Sequence, residues 1–210
     1  LESVDGRSHL NQFRDAAACG KPVFIDKPLA STLDDARSIQ KYAAEHSIPW
    51  FSASSLRFGP VTTLRSPDLK SAIVWGPGPL EEHHQLDLSW YGIHSVESLF
   101  TLMGTVVAEV TRLYSPDGDV VTARWKDGRI GVIHTLRPYG PHGAVVFLAR
   151  NHTRTNMNID GSYAPLLQEI VRFMHTHQPP VPNAETMEIF EFMDAAQKSR
   201  ERGGAAVALP

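Results

Sequence analysis

A single cysteine, Cys19, leaves the chain no possible internal disulfide. That usage fits a reducing compartment. No apolar run approaches the roughly 20 residues that a membrane-spanning helix needs. An excess of either sign of charge is missing: the net charge is −3 over 210 residues, with a pI near 6.4. Such a balance provides no basic field to hold nucleic acid or an anionic membrane surface. The first residues lack the basic region, apolar core and cleavage site of a secretory signal. Internal repeats and low-complexity stretches are also missing. These absences leave a soluble globular protein expected in the cytoplasm, with 42% apolar and 20% charged residues. Leu1-Glu2-Ser3-Val4-Asp5 reads as the tail of a strand entering a loop, so the chain is expected to begin within a fold.

Hydrophobic periodicity supplies the elements. Leu10, Phe13, Ala17 and Ala18 form one helical stripe between His9 and Cys19, and Gly20 follows as its C-terminal stop. Pro22-Val23-Phe24-Ile25 is continuously apolar, as in a buried parallel strand. Ser31 or Thr32 caps a second helix whose inward face is Leu33, Ala36, Ile39 and Ala43. Pro49-Trp50-Phe51-Ser52 is the next strand, completing a βαβ-type unit. The pattern then changes. A strand over 71–75 precedes a helix with Ile93, Val96, Phe100 and Met103 on one stripe. Strand-like runs follow at 106–114, 120–125, 130–136 and 144–149, with turns at Pro116-Asp117-Gly118 and Asp127-Gly128. Consecutive strands with tight turns imply an antiparallel sheet. Two helices close the chain, one around Leu166–Met174 and one around Met187–Met193, with Asn183 as N-cap and Gly203-Gly204 as stop. The fold expected is α/β, a partial Rossmann unit over 1–58. An α+β domain over 59–210 follows, with a largely antiparallel open sheet covered by helices. The final helix and tail are expected to pack back on the first domain.

Chemistry concentrates in two stretches. Asp26-Lys27-Pro28 ends an apolar strand, the place where open α/β sheets bind ligands. A solvated turn lysine explains Lys27 equally well on chemistry alone. His94 and Glu97 share one helix face at i, i+3, where a capping histidine with a carboxylate partner is the plainer alternative. Arg57 lies just past a strand end, suited either to a substrate or to an ion pair. Gly76-Pro77-Gly78 follows a strand, but its prolines remove donors that a pyrophosphate needs, so it is not a dinucleotide loop. His83 and His84 are adjacent and so do not aim at one metal; no metal site is expected. His175 and His177 fit roles at a helix end.

These stretches resemble the glucose–fructose oxidoreductase / inositol dehydrogenase (Gfo/Idh/MocA) family. Cys19 through Ala30 is similar to the family's Ala-Gly-Lys-x-Val-x-x-Glu-Lys-Pro-Leu-Ala, with Asp26 in place of its glutamate. Ser89 through Leu99 is similar to its Asp-x-Gly-x-His-x-x-Asp helix start. His94 matches the histidine, Glu97 the following acid, and Trp90 stands where many members carry an aspartate. Tyr163–Leu167, Gln178–Pro182 and Glu185–Ile189 resemble the closing helices and linker. The resemblance implies a lysine and a histidine beside nicotinamide and substrate hydroxyl, here Lys27 and His94, and a Lys-Pro bond that is often cis. It implies Asp26, Lys27 and Pro28 at the cofactor, and Arg57, Trp90, Tyr91 and Glu97 at the substrate. NAD or NADP is the cofactor implied, although no pyrophosphate-binding loop is present among these residues. The chain alone is therefore expected to bind it poorly and to be inactive.

The function expected is hydride transfer between NAD(P) and a sugar, cyclitol or related polyol, in a protein that is a homo-oligomer when complete. A variant with tightly held NAD would couple oxidation, elimination and reduction. The alternative is a non-redox or impaired member that binds a carbohydrate or a protein partner, which Trp90 favours.

Overall fold

The computed structural model describes residues 1–210. Two sheets share one apolar core. The first is a parallel pair, β1 (Val23–Asp26) and β2 (Trp50–Ala53). The second has seven strands: β3 (Leu69–Pro77), β4 (Val107–Ser115), β5 (Gly118–Trp125), β6 (Ile130–Leu136), β7 (Gly143–Leu148), β8 (Thr153–Asn156) and β9 (Val207–Ala208). Their order is β8-β7-β3-β6-β5-β4-β9. All neighbours run antiparallel except β3 and β6. The sheet is thus mixed, and it is antiparallel wherever a hairpin joins consecutive strands.

Five helices complete the fold: α1 (His9–Ala17), α2 (Leu33–Glu45), α3 (Gly92–Met103), α4 (Ala164–Thr176) and α5 (Asn183–Glu201). Local chemistry sets their ends. Thr32 Oγ1 accepts from the Asp35 amide at 3.0 Å, and Asp34 and Asp35 complement the helix dipole of α2. Leu33, Ala36, Ile39 and Ala43 of α2 are buried. Helix α3 stops at Gly104, whose φ of 73° is left-handed. It is buried on nearly every side, with Ile93, Val96, Leu99 and Phe100 in the core against β3 and β6. A Cβ on Gly131 of β6 would come 2.8 Å from the Trp125 ring and 3.0 Å from Leu99, so this glycine permits the close seating of α3.

Helix α5 joins the two sheets, with contacts to β4 on one side and to β2 and α2 on the other. Its first residue is Asn183, and Pro182 occupies the cap position with extended backbone. The expected Asn183 cap is therefore corrected. The Asn183 amide instead faces Trp50, and in the amide orientation that satisfies both groups it donates to the Trp50 carbonyl at 3.0 Å and accepts from the indole N–H at 2.9 Å. Helix α4 covers Phe24 and Phe51 with Leu166 and Phe173. Its Leu167, Val171 and Met174 are exposed.

A buried charge cluster ties α5 and β4 to the middle of the sheet. The Arg112 side chain is fully buried. Its Nε donates to Asp119 Oδ1 at 3.0 Å and its Nη1 to Asp87 Oδ1 at 2.6 Å. Arg137 donates to the other Asp119 oxygen at 2.6 Å, and Arg200 pairs with Asp87. Removing one partner of such a group leaves the others charged and desolvated, at a cost of about 3–5 kcal/mol. Arg112→Ala is expected to lose stability of that order in urea unfolding, against a change near zero for exposed Arg124→Ala.

Candidate active site

Two strand ends and one helix start meet at a cleft of about 340 Å³. Lys27 follows the last residue of β1, and its peptide bond to Pro28 is cis. Its Nζ donates to the Trp90 carbonyl at 3.2 Å. The ammonium lies 5.5 Å and 5.6 Å from the ring centres of Trp90 and Tyr91. Burial pushes the Lys27 amine below its ordinary value, with Asp26 and Glu97 opposing. Burial likewise raises the Asp26 carboxyl, against the pull of Lys27.

Ser54 follows β2 and starts the 3₁₀ turn Ser55–Phe58. Its hydroxyl accepts from the Leu56 amide at 3.2 Å and meets His94 Nδ1 at 2.7 Å. The hydroxyl can donate to Nδ1 or accept from it, according to the tautomer of the ring, and in both cases Nε2 is left for the cleft. His94 sits in the first turn of α3 and lines the cleft with Lys27. Burial, together with the charges of Lys27 and His142, pushes its pKa down to about 3.

Arg57 and Glu97 lie beneath the cleft, not in it. Both are buried; Arg57 Nε donates to Glu97 Oε2 at 2.7 Å, and Arg57 Nη1 to Glu185 Oε1 at 2.6 Å. The other Glu97 oxygen accepts from the Ser54 amide at 2.8 Å. Burial raises the Glu97 carboxyl, and Arg57 opposes it. Direct substrate contact by Arg57 or Glu97, expected from the sequence, is corrected on geometric grounds. Both Glu97 oxygens and Arg57 Nε and Nη1 are turned to each other, to Glu185 and to the backbone that carries Ser54, while Arg57 Nη2 is buried without a partner. Trp90 contributes its carbonyl and ring beside Lys27, and Tyr91 lines the cleft. Pro28 is buried, and its carbonyl accepts a 2.7 Å bond from His9.

The sequence reading missed His142, Asp160, Tyr139 and Tyr163, which line the same cleft. His142 immediately precedes β7, and its ring centre is 5.7 Å from that of His94. Its Nε2 faces Asp160 Oδ1 at 3.8 Å. The available signal was a histidine flanked by glycines, Gly140-Pro141-His142-Gly143. A Cβ at Gly143 would strike the Trp75 ring at 2.2 Å, so this backbone must approach β3 closely. His83 and His84 point apart. His83 pairs with Glu81 at 2.6 Å, while buried His84 bonds Ser89 and Asp5 at 2.9 Å and 3.0 Å. No group of three or more His, Cys, Asp or Glu side chains could hold a metal ion.

Solved structures share this architecture. The WlbA dehydrogenase from Bordetella pertussis, in complex with NADH and UDP-GlcNAcA, matches 100% of this chain and 78% of its own, with TM-score 0.81 and 16% identity. A myo-inositol dehydrogenase from Corynebacterium glutamicum matches 97% and 77%, with TM-score 0.77 and 14% identity. An oxidoreductase from Agrobacterium radiobacter, in complex with NAD⁺, L-tartaric acid and magnesium, matches 97% and 77%, with TM-score 0.77 and 15% identity. This chain has the fold of these oxidoreductases. The fold implied by the resemblance of Cys19–Ala30 and Ser89–Leu99 is the fold the chain adopts. No family model and no curated protein sequence matches the chain.

A depressed His94 makes a testable pH statement. The unfolded chain takes up a proton near the ordinary 6.5, the folded site only near 3. The neutral ring therefore contributes its full stability above about pH 6.5, and that contribution falls as pH drops toward 3. Histidine NMR is expected to show no His94 titration between pH 5 and 8. A His94→Asn variant is expected to lose stability less steeply than the parent between those two limits.

Proposed function

We propose that the cleft oxidises or reduces a carbinol carbon of a sugar, cyclitol or related polyol with a nicotinamide cofactor. The observation that carries this reading is the convergence of Lys27, from a parallel strand end, and His94, from a helix start, on one cleft. Ligand sites in α/β sheets lie at such strand ends. A cleft of this volume lies within the range for small-molecule sites and matches a single sugar ring better than a whole dinucleotide. The fold of NAD- and NADH-bound oxidoreductases supports the cofactor class.

The residues present fit the nicotinamide end of such a cofactor. Asp26, Lys27 and Pro28 would stand beside it, at the end of β1. Gly76 and Pro77 are taken up within β3 and form no pyrophosphate loop. When bound, the nicotinamide supplies the acceptor or donor of hydride at the carbinol carbon. The rest is proton handling by the protein. A Lys27 amine lowered by burial can hydrogen-bond the reacting hydroxyl and exchange its proton more readily than an exposed lysine. His94 meets that hydroxyl through Nε2, because Ser54 holds Nδ1. Tyr91, Tyr139 and Tyr163 offer rings and hydroxyls suited to a sugar's apolar face and its polar edge.

One observation favours a second reading, a carbohydrate binder without redox activity. No carboxylate touches the Lys27 amine, which rests on the Trp90 carbonyl and two rings. A panel of sugars and polyols assayed with NAD and NADP in the full-length protein separates the two. Oxidation is expected. In Lys27→Ala, kcat should fall about 100-fold or more with a small change in KM, because the lysine acts on the reacting hydroxyl. Saturable sugar binding with no cofactor reduction would establish the binder instead.

A further inference from the structure

A proton taken from substrate at Lys27 or His94 must leave the cleft, and neither group touches a carboxylate that could receive it. Glu97 is the acid nearest His94 by sequence, but Arg57 and the Ser54 amide occupy both its oxygens. Asp160 is the only acid lining the cleft. Its side chain is 53% exposed and therefore in exchange with water. Between Asp160 and His94 stands His142, itself only 5% exposed. Its Nδ1 has no partner in the protein, and its Nε2 faces Asp160 at 3.8 Å. The two histidine rings lie edge to face with their centres 5.7 Å apart.

Two features indicate that this arrangement is built. Gly76 makes room for the ring against β3, since a Cβ there would lie 2.4 Å from His142 Nδ1. The Ile159 amide donates to the His142 carbonyl at 3.2 Å, which fixes the Asp160 segment to the residue it serves.

We propose that His142 and Asp160 form an acid–base couple that carries the substrate proton between the Lys27/His94 end of the cleft and solvent. This rests on the dehydrogenase reading for its substrate. In oxidation, the C–H bond gives its electron pair as hydride to the nicotinamide, and the O–H proton passes to His94 or Lys27. From there it moves to His142 and out through Asp160. Reduction runs the same path inward. His94 and Asp160 face the His142 ring, and the other titratable groups lining the cleft are Lys27 from the end of β1, Tyr91 from the start of α3, and Tyr139 and Tyr163 from the loops. Asp160 is the one carboxylate among them. Its charge opposes the downward push of burial on His142.

Two measurements test the couple. In cofactor-free protein with labelled histidines, Asp160→Asn is expected to move the His142 titration to lower pH. An unchanged midpoint would overturn the proposal. In the full-length protein with NAD(P) and an accepted polyol, His142→Gln and Asp160→Asn are expected to lower kcat about 10- to 100-fold, with KM changed less than about threefold. Asp160→Glu should restore most of it and should also keep the parent pH profile. Full kcat in both variants would overturn the proposal. An Asp160-linked His142 titration in a protein that turns over no substrate would remove the dehydrogenase reading and leave the couple standing.

Discussion

The buried pairing of Arg57 with Glu97 is the contact on which the rest of the site depends. Arg57 comes from the turn after β2, Glu97 from α3 and Glu185 from the first turn of α5. One guanidinium thereby fixes the small parallel sheet, the central helix of the large sheet and the helix that spans both. Two acids on one buried arginine is a costly arrangement, because each ion gives up its hydration. The geometry offsets that cost with direct hydrogen bonds of 2.6 to 2.8 Å and a backbone donor on the remaining Glu97 oxygen. The same backbone donor belongs to Ser54, whose hydroxyl holds His94. Charge pairing in the core and ring orientation in the cleft are therefore one mechanical unit.

That unit leaves few charges at the cleft itself. Lys27 and His94 are both partly buried at the cleft wall, and both lose proton affinity through that burial. They face each other as weakly held proton sites and not as a fixed ion pair. The walls around them are aromatic, with Tyr91 packed edge-on against Trp90 and Tyr139 at about 6 Å. Such walls exclude water while leaving C–H faces of a sugar a place to rest.

Much of the framework was legible in the sequence. The Leu33, Ala36, Ile39, Ala43 stripe has helical spacing and is buried as a stripe. The hairpin turns at Asp117-Gly118 and Asp127-Gly128 announce β4, β5 and β6. Strand β8 escaped because Thr153-Arg154-Thr155-Asn156 has no apolar face; it pairs at an edge and stays largely exposed. Strand β9 is only two residues long. The parallel pairing of β3 with β6 depends on α3 and a hairpin returning between them, which local pattern does not specify. At the site, motif spacing drew attention to Lys27 and His94. It could not show that Arg57 would be spent on Glu97, since that pairing spans 40 positions. His142 carried no helical or strand periodicity, and its role emerges only from Gly76, Asp160 and His94 around it.

The central claim is that this cleft transfers hydride from a carbinol carbon. Isotope transfer tests it most directly. The full-length protein is incubated with NAD(P) and a polyol or sugar carrying deuterium on its oxidisable carbons, and the reduced nicotinamide is analysed by mass. The account predicts a reduced cofactor one mass unit heavier, with the label lost from the substrate carbon. A substrate that binds saturably in the cleft while its deuterium stays in place and the nicotinamide stays oxidised would contradict it.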